Sequence, residues 1–367
     1  MKGVMREIEK SEQLELQLIL AGGAILDRYG LAGEALVNRE FAVNRKIHFM
    51  VEGENTIAMA KSAGMAVIEF STAFENLSPD VVIIIADRFE CLAIAMAAGY
   101  MNVPLAHIEG GEVSGSIDES VRHAITKLSH VHFPATKEAE QRIIKMGEDP
   151  RTVFNVGCTS LDVIADMDLN DISPIMALQQ KSGVGPVVDL QKPYLLIIQH
   201  PVTTEYDQNL SHMNETLESV RALSMNSILI WPNMDAGSDG ISKAIRVFRE
   251  KYRPDNIHFF KSLPIEYYAP LLKNAACVVG NSSSGIREAS FLGVPSVNIG
   301  TRQAGRERGK NVIDVTYKKD EIISAVHKQL DHGPYTPDYI YGDGNACRKI
   351  VEILGTSEFK IQKKISY

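Results

Sequence analysis

The sequence predicts an α/β fold of two doubly wound, Rossmann-like domains facing a cleft, and three observations carry that expectation. The 367 residues exceed the size at which a single hydrophobic core stops growing, and a 45% hydrophobic content suffices for two cores. Short apolar, β-branched runs alternate with stretches of helical spacing, the rhythm of repeated βαβ units around a parallel sheet. That rhythm pauses between residues 165 and 193, where acidic, glycine and proline residues interrupt any strand, and then resumes. The pause reads as an interdomain connection, giving a first domain over residues 1–168 and a second over 190–344.

In chain order, the strands expected of the first domain are LELQLIL (14–20), DVVIIIA (80–86), VPLAHI (103–108), VHFPAT (131–136) and VFNVG (153–157). Those of the second are YLLIIQ (194–199), SILIW (227–231), CVVG (277–280) and VPSVNIG (294–300). Helices are expected over 90–100, 114–127 and 286–292. Residues 345–360 have helical spacing, and the segment 345–367 is expected to pack back on the first domain as a helix. Doubly wound folds bind ligands beyond the carboxyl ends of their strands, so candidate residues should follow strands directly.

Bulk properties narrow the function. The balance of 38 basic against 46 acidic residues gives −8, and no basic run is longer than a pair such as Lys363-Lys364, which argues against a nucleic-acid surface. Cys91, Cys158, Cys277 and Cys347 are far apart, indicating neither a zinc site nor a disulfide framework and fitting a reducing, cytoplasmic compartment. The apolar run 81–86 is too short for a membrane span and follows no secretory n-region, so no membrane association is expected. Walker, dinucleotide-fingerprint and nucleophile-elbow motifs are all absent from the sequence. His123, His130 and His132 lack the spacing of a zinc helix and read as structural, so no metal is expected. What remains is chemistry with carboxylates and a nucleotide leaving group.

Strand 80–86 runs into Asp87-Arg88, and strand 103–108 into Glu109-Gly110-Gly111. As parallel neighbours they would bring both carboxylates to one sheet edge, a place for acid–base work. The plainer alternative is that Asp87 caps the next helix and Glu109 is a solvated loop charge. Asp118, near the following helix start, is either a further acid or a dipole partner paired with Arg122 four residues on. In the second half, His200 follows strand 194–199 and Asn233 follows strand 227–231.

The strongest local signal is CVVGNSSSGIREAS, 277–290. A strand ends at Gly280, Ser282 and Ser283 supply hydroxyls, Gly285 permits close backbone approach, and a helix follows. Free N–H groups and the helix dipole would then face an anion such as a diphosphate; the alternative is an ordinary serine-capped helix. Glu288, one turn in, would repel phosphate, so it is expected to accept hydrogen bonds from ribose hydroxyls. Strand 294–299 delivers Arg302 and Arg306, whose guanidinium forks match phosphate oxygens.

Together these residues resemble the hydrolysing UDP-N-acetylglucosamine 2-epimerases of bacterial sialic-acid pathways and the epimerase half of the animal bifunctional epimerase/kinase. The likeness runs from about residue 2 to about residue 315. It is densest in ADRFE (86–90), HIEGGEVSGSIDESVRHAITKLSH (107–130), HPVTTE (200–205), PNMDAGS (232–238), GNSSSGIREA (280–289) and NIGTRQAGRERG (298–309). The resemblance implies the GT-B type of two-Rossmann fold. It implies Asp87, Glu109 and Asp118 as acidic catalytic residues and His200 as the active-site histidine. Arg88, Asn233, Ser282, Ser283, Glu288 and Arg302 would hold UDP, with Gly285 in the same grip. No cofactor is implied, and a homodimer or homotetramer is.

The implied reaction converts UDP-N-acetylglucosamine to N-acetylmannosamine and UDP through a 2-acetamidoglucal, in sialic-acid-type biosynthesis. Two other functions fit the same residues: a non-hydrolysing epimerase that returns UDP to the glycal, and a catalytically impaired nucleotide-sugar-binding paralogue. Three features depart from the family pattern. The chain starts at MKGVMREIEK, inside the first helix, so the opening strand and its Gly-Thr/Ser-Arg-Ala-Asp/Glu turn are expected to be missing from the first domain. Ala86 stands where the family has glycine. ILAGGAILDRYG (19–30) replaces a Thr-Gly-Met-His loop.

Overall fold

The computed structural model describes residues 1–25, 40–52, 56–114, 117–232 and 237–366. The chain divides into two units, one of Met1–Glu112, Asp118–Thr159 and Asn345–Tyr367, the other of Val113–Ile117 and Ser160–Gly344. Residues 160–168, grouped by sequence with the first domain, thus fall in the second unit. Every strand pairing in the sheets is parallel, as alternating strands and helices require.

In the first unit, helix α1 (Lys2–Lys10) precedes strands β1 (Ile19–Ala21) and β2 (Arg45–Ile47), which among the described residues pair only with each other. Helix α2 (Thr56–Leu77) leads to β3 (Val82–Ile85), α3 (Phe89–Tyr100), β4 (Leu105–Ile108), α4 (Asp118–Leu128), β5 (Val131–Phe133) and α5 (Lys137–Lys145). Strands β3, β4 and β5 form a separate sheet in that order. Among the described residues β3 is therefore an edge strand, although its Val-Ile-Ile-Ile sequence suits a strand covered on both faces and flanked on both sides. Its Ile83 and Ile85 stay half-buried, whereas every residue of β4 is buried.

Two expected strands are corrected here. The run 14–20 joins a ladder only from Ile19, because Leu14 and Leu16 pack on the core without strand partners. The run 153–157 makes a single bridge, Val153 to His132, in place of a strand.

Helix α6 (Thr159–Ala165) passes into the second unit, followed by α7 (Ser173–Gln179) in the connecting segment. The strands there are β6 (Tyr194–Ile198), β7 (Asn226–Ile230), β8 (Ile257–Phe260), β9 (Cys277–Gly280), β10 (Ser296–Ile299) and β11 (Val312–Val315). They form one sheet of order β11-β10-β9-β6-β7-β8. Alternate residues of β6 serve opposite cores: Leu195 and Ile197 pack with Leu217 and Ile245, and Leu196 and Ile198 with Leu271 and Ala289. Each fully buried aliphatic side chain contributes about 1.5–3 kcal/mol.

The chain then returns to the first unit. There, Ile350 and Leu354 of a last helix (Ala346–Thr356) pack with Val4 and Ile8 of α1. Beyond it, Lys363 Nζ donates to the carbonyls of Lys127 (2.9 Å) and Ser129 at the end of α4, and to Glu148 Oε2 at 2.7 Å. Glu148 is 3% exposed and also receives Lys127 (2.6 Å) and His132 (3.2 Å). Burial alone would push its pKa up. The donors from His132, Lys127 and Lys363 outweigh burial and hold it at about 2. Among the described residues no helix is long and apolar enough to cross a membrane.

Candidate active site

The pairing of β3 with β4 sets Ile85 beside Ile108, so the chain leaves both strands at Ala86 and Glu109. Both residues have φ +61°, the left-handed region, which costs a side-chain-bearing residue roughly 1–2 kcal/mol. Two such residues side by side at strand ends are the kind of backbone strain that gathers at functional sites. His107 fastens one of these turns, its Nε2 lying 2.9 Å from the carbonyl of Ala86. Burial pushes the His107 pKa down to about 3, so the ring is neutral and donates from Nε2.

Asp87 does not cap α3, whose N-cap is Arg88. Its Oδ2 is instead ion-paired with Arg122. Arg122 is only 1% exposed and also donates to the carbonyl of Glu112 at 2.8 Å and to Glu119 at 3.2 Å. A guanidinium this buried requires such compensation, and Asp87 is fixed in supplying it. Glu109 is 5% exposed and not a solvated loop charge. Its Oε1 lies 3.2 Å from Cys158 Sγ and 3.4 Å from Thr159 Oγ1. Asp118 is the first residue of α4. Arg88 is half-exposed and paired with Glu90 at 2.8 Å.

In the second unit the strand order reverses between β6 and β9, the topological switch point at which open α/β sheets leave a crevice beyond their carboxyl ends. His200 follows β6 and Asn281 follows β9. The two strands approach so closely at Gly280, φ +140°, that a Cβ there would lie 2.0 Å from the carbonyl oxygen of Ile198. Asn281 then ties the crevice together. Its Oδ1 accepts from His200 N at 2.7 Å and its Nδ2 donates to His200 O at 2.8 Å. Its own carbonyl accepts from Arg302 Nη1 at 3.3 Å and from Gln303 at 2.8 Å. His200 keeps some exposed surface, but burial of its ring, with Arg302 adding to it, lowers its pKa to about 3. It is a neutral imidazole at ordinary pH.

Ser282 accepts from Ser284 N at 3.3 Å and caps a 3-10 turn, Ser283–Gly285. A Cβ on Gly285 would meet Ser296 Oγ at 2.6 Å, so the space beside this glycine is filled by β10. The helix expected over 286–292 begins only at Glu288 (α11, Glu288–Leu292), because the 3-10 turn occupies the preceding residues. Glu288 consequently stands at its first position rather than one turn in. Its Oε1 accepts from Ser160 Oγ at 2.7 Å, and its Oε2 is buried with no hydrogen-bond partner among the described residues. Arg306 donates to Gln303 at 2.9 Å within its own loop. Asn233 lies outside the described residues. His123 meets Glu119, His130 the carbonyl of Ile361, and His132 Glu148.

Sequence reasoning did not single out His107, Asn281, Cys158 or Ser160, and it gave Arg122 only Asp118 as a partner. Asn281 was within reach as the first polar residue after a strand end. The contacts of the others join segments far apart in the chain, for which spacing gives no signal.

The chain matches the UDP-N-acetylglucosamine 2-epimerase family over residues 6–355. It is 34% identical over 356 residues to the UDP-N,N'-diacetylbacillosamine 2-epimerase (hydrolyzing) of Legionella pneumophila, with 97% of this chain and 92% of that protein covered. It is 31% identical over 361 residues to the UDP-N-acetylglucosamine 2-epimerase of Neisseria meningitidis, with 98% and 92% covered. The fold is similar to that of Methanocaldococcus jannaschii UDP-GlcNAc 2-epimerase in complex with UDP-GlcNAc and UDP, with a TM-score of 0.80, 20% identity and coverage of 97% and 95%. That likeness makes the fold the α/β, GT-B type. By both sequence and fold, the chain belongs to the UDP-N-acetylglucosamine 2-epimerase family.

Proposed function

We propose that the chain is a hydrolysing 2-epimerase that converts UDP-N-acetylglucosamine to N-acetylmannosamine and UDP. The observation that carries this reading is the pair of carboxylates leaving adjacent strand ends, Asp87 tied to a guanidinium and Glu109 to a thiol and a hydroxyl. In the first step a carboxylate takes the C2 proton while the C1–O bond breaks and UDP departs with the bonding pair, leaving a 2-acetamidoglucal. Water then adds across the double bond, hydroxyl to C1 and proton to C2 on the opposite face.

The C2 proton is not next to a carbonyl, so C1–O cleavage leads and positive charge develops at C1. Carboxylates stabilise that charge and phosphate binders stabilise the departing UDP. Unlike surroundings separate two carboxyl groups into unlike roles. Asp87, held by Arg122, is suited to face the charge at C1, Glu109 to carry the proton, and Asp118 to assist either. Neither a metal nor a nicotinamide enters this route.

In the second unit, Arg302, Ser282 and Ser283 hold the diphosphate, and His200, a neutral imidazole, serves as the active-site histidine. Glu288 Oε2, buried and without a donor, supports a ribose-hydroxyl site, since a buried acceptor left unmatched costs about 1–3 kcal/mol. Arg88, Asn233 and the Gly285 turn complete the grip. The same reading places the protein in the cytoplasm as a homodimer or homotetramer, in sialic-acid-type biosynthesis.

Incubation with UDP-N-acetylglucosamine in deuterated water is expected to give N-acetylmannosamine deuterated at C2 together with free UDP. Absence of both at saturating substrate sinks the reading, and epimerised sugar that stays on UDP replaces it with the non-hydrolysing reaction. The Legionella relative, a hydrolysing enzyme named for UDP-N,N'-diacetylbacillosamine, supports a second reading in which that sugar is the substrate. The ratio of kcat/KM on the two UDP-sugars decides between them.

A further inference from the structure

The turn Gly157-Cys158-Thr159-Ser160 contains the division between the units, which falls between Thr159 and Ser160. Gly157 turns the chain at φ +96°, and α6 begins at Thr159. Hydroxyls at a helix start ordinarily serve their own helix as caps. Here they go elsewhere. Cys158 and Thr159, both buried, reach one atom, Glu109 Oε1, at 3.2 Å and 3.4 Å. Ser160 donates instead to Glu288 Oε1 at 2.7 Å. Three consecutive side chains thus serve two carboxylates, one in each unit.

We propose that this turn positions both carboxylates, Cys158 and Thr159 fixing Glu109 for proton transfer, and Ser160 fixing Glu288 so that its Oε2 meets the ribose hydroxyls. The proposal rests on the roles given to Glu109 and Glu288 above. The three groups are neutral donors, so they orient a carboxylate without adding charge of their own. At Glu288 the hydrogen bond fixes Oε1 and leaves Oε2, without a partner among the described residues, to meet the ribose. Neighbouring residues therefore act on different kinetic constants. Loss of a donor to Glu109 lowers kcat, and loss of the donor to Glu288 weakens nucleotide binding.

The test compares Cys158→Ala, Cys158→Ser, Thr159→Val and Ser160→Ala in the full chain, with thermal unfolding to match folded fractions. Hydrogen bonds to charged groups contribute enough that Cys158→Ala and Thr159→Val are expected to lower kcat about 10-fold, with KM and UDP affinity within about twofold. Cys158→Ser, which keeps a donor, is expected to recover most of the rate. Ser160→Ala is expected to raise KM and the UDP Kd about 10-fold while kcat holds within about twofold. The proposal is overturned when Thr159→Val and Ser160→Ala change the same constant, or when Cys158→Ser recovers nothing. Should the unsubstituted protein show no turnover, the proposed function fails on its own. UDP calorimetry then still decides this proposal, because Ser160→Ala alone is expected to weaken binding and equal Kd values for both hydroxyl variants overturn it.

Discussion

The two units follow the same βα building rule and reach sheets of different completeness. Among the described residues, the second unit joins six parallel strands into one sheet, while the first divides five between two sheets. The difference shows in how each positions its candidate residues. His200 and Asn281 sit where β6 and β9 are hydrogen-bonded neighbours, so the ladder itself sets their separation. Asp87 and Glu109 leave strands of a three-stranded sheet whose edge is β3. Their places depend on side-chain ties from Arg122, His107, Cys158 and Thr159 and on two left-handed backbone positions. A site held by a ladder tolerates loss of single side chains better than one held by ties.

The sharpest way to break this contrast is Asp87→Asn. Turnover is expected to fall about 1,000-fold, the scale of losing one electrostatic stabiliser of the transition state, while UDP calorimetry stays within about twofold, because the proposed nucleotide residues lie mainly in the second unit. Equal turnover would remove Asp87 from the chemistry. Next in size is Glu148→Gln, which leaves Lys127 and Lys363 without their buried partner. Denaturant titration is expected to show a loss of about 3 kcal/mol.

The wild-type protein adds a pH signature to that variant. Glu148's pKa falls from 4.5 to about 2 on folding, so its contribution is complete above about pH 4.5 and is lost as the pH falls toward 2. Acid unfolding followed by circular dichroism is expected to be less steep over that window in Glu148→Gln. Glu288→Gln comes third, with UDP affinity falling about 10-fold and kcat little changed. The smallest effect is expected of Ala86→Gly, which relieves a left-handed alanine and raises stability by about 1 kcal/mol, measured by thermal unfolding.

Much of the fold was legible because buried parallel strands announce themselves. Val82–Ile85, Tyr194–Ile198 and Cys277–Gly280 are apolar runs bounded by turn residues, and each forms a strand within the expected range. Arg45–Ile47 was not legible, since two of its three residues are charged and exposed. Val312–Val315 is an edge strand without one fully buried residue, so it lacks the contrast on which such reading depends. Which candidate residues follow strands directly was legible from position alone. Their partners were not, because Arg122 reaches Asp87 across 35 residues and Cys158 reaches Glu109 across 49. Asn281 shows a further limit: sequence marks a polar residue at a strand end, but not that its side-chain amide would clamp His200 while its backbone carbonyl holds the loop of Arg302.

The tie from Lys363 to the end of α4 spans nearly the whole second unit in sequence. The ribosome makes α4 early and Lys363 more than two hundred residues later, after all of residues 160–344. While the nascent chain still lacks that lysine, the last carbonyls of α4 and the carboxylate of Glu148 are short of a donor, and the helix that opens with Asp118 is loosely anchored. The second unit, which is nearly continuous in sequence, is fully synthesised before that donor exists. A contact that belongs to the first unit therefore becomes available only after the whole of residues 160–344 has been synthesised.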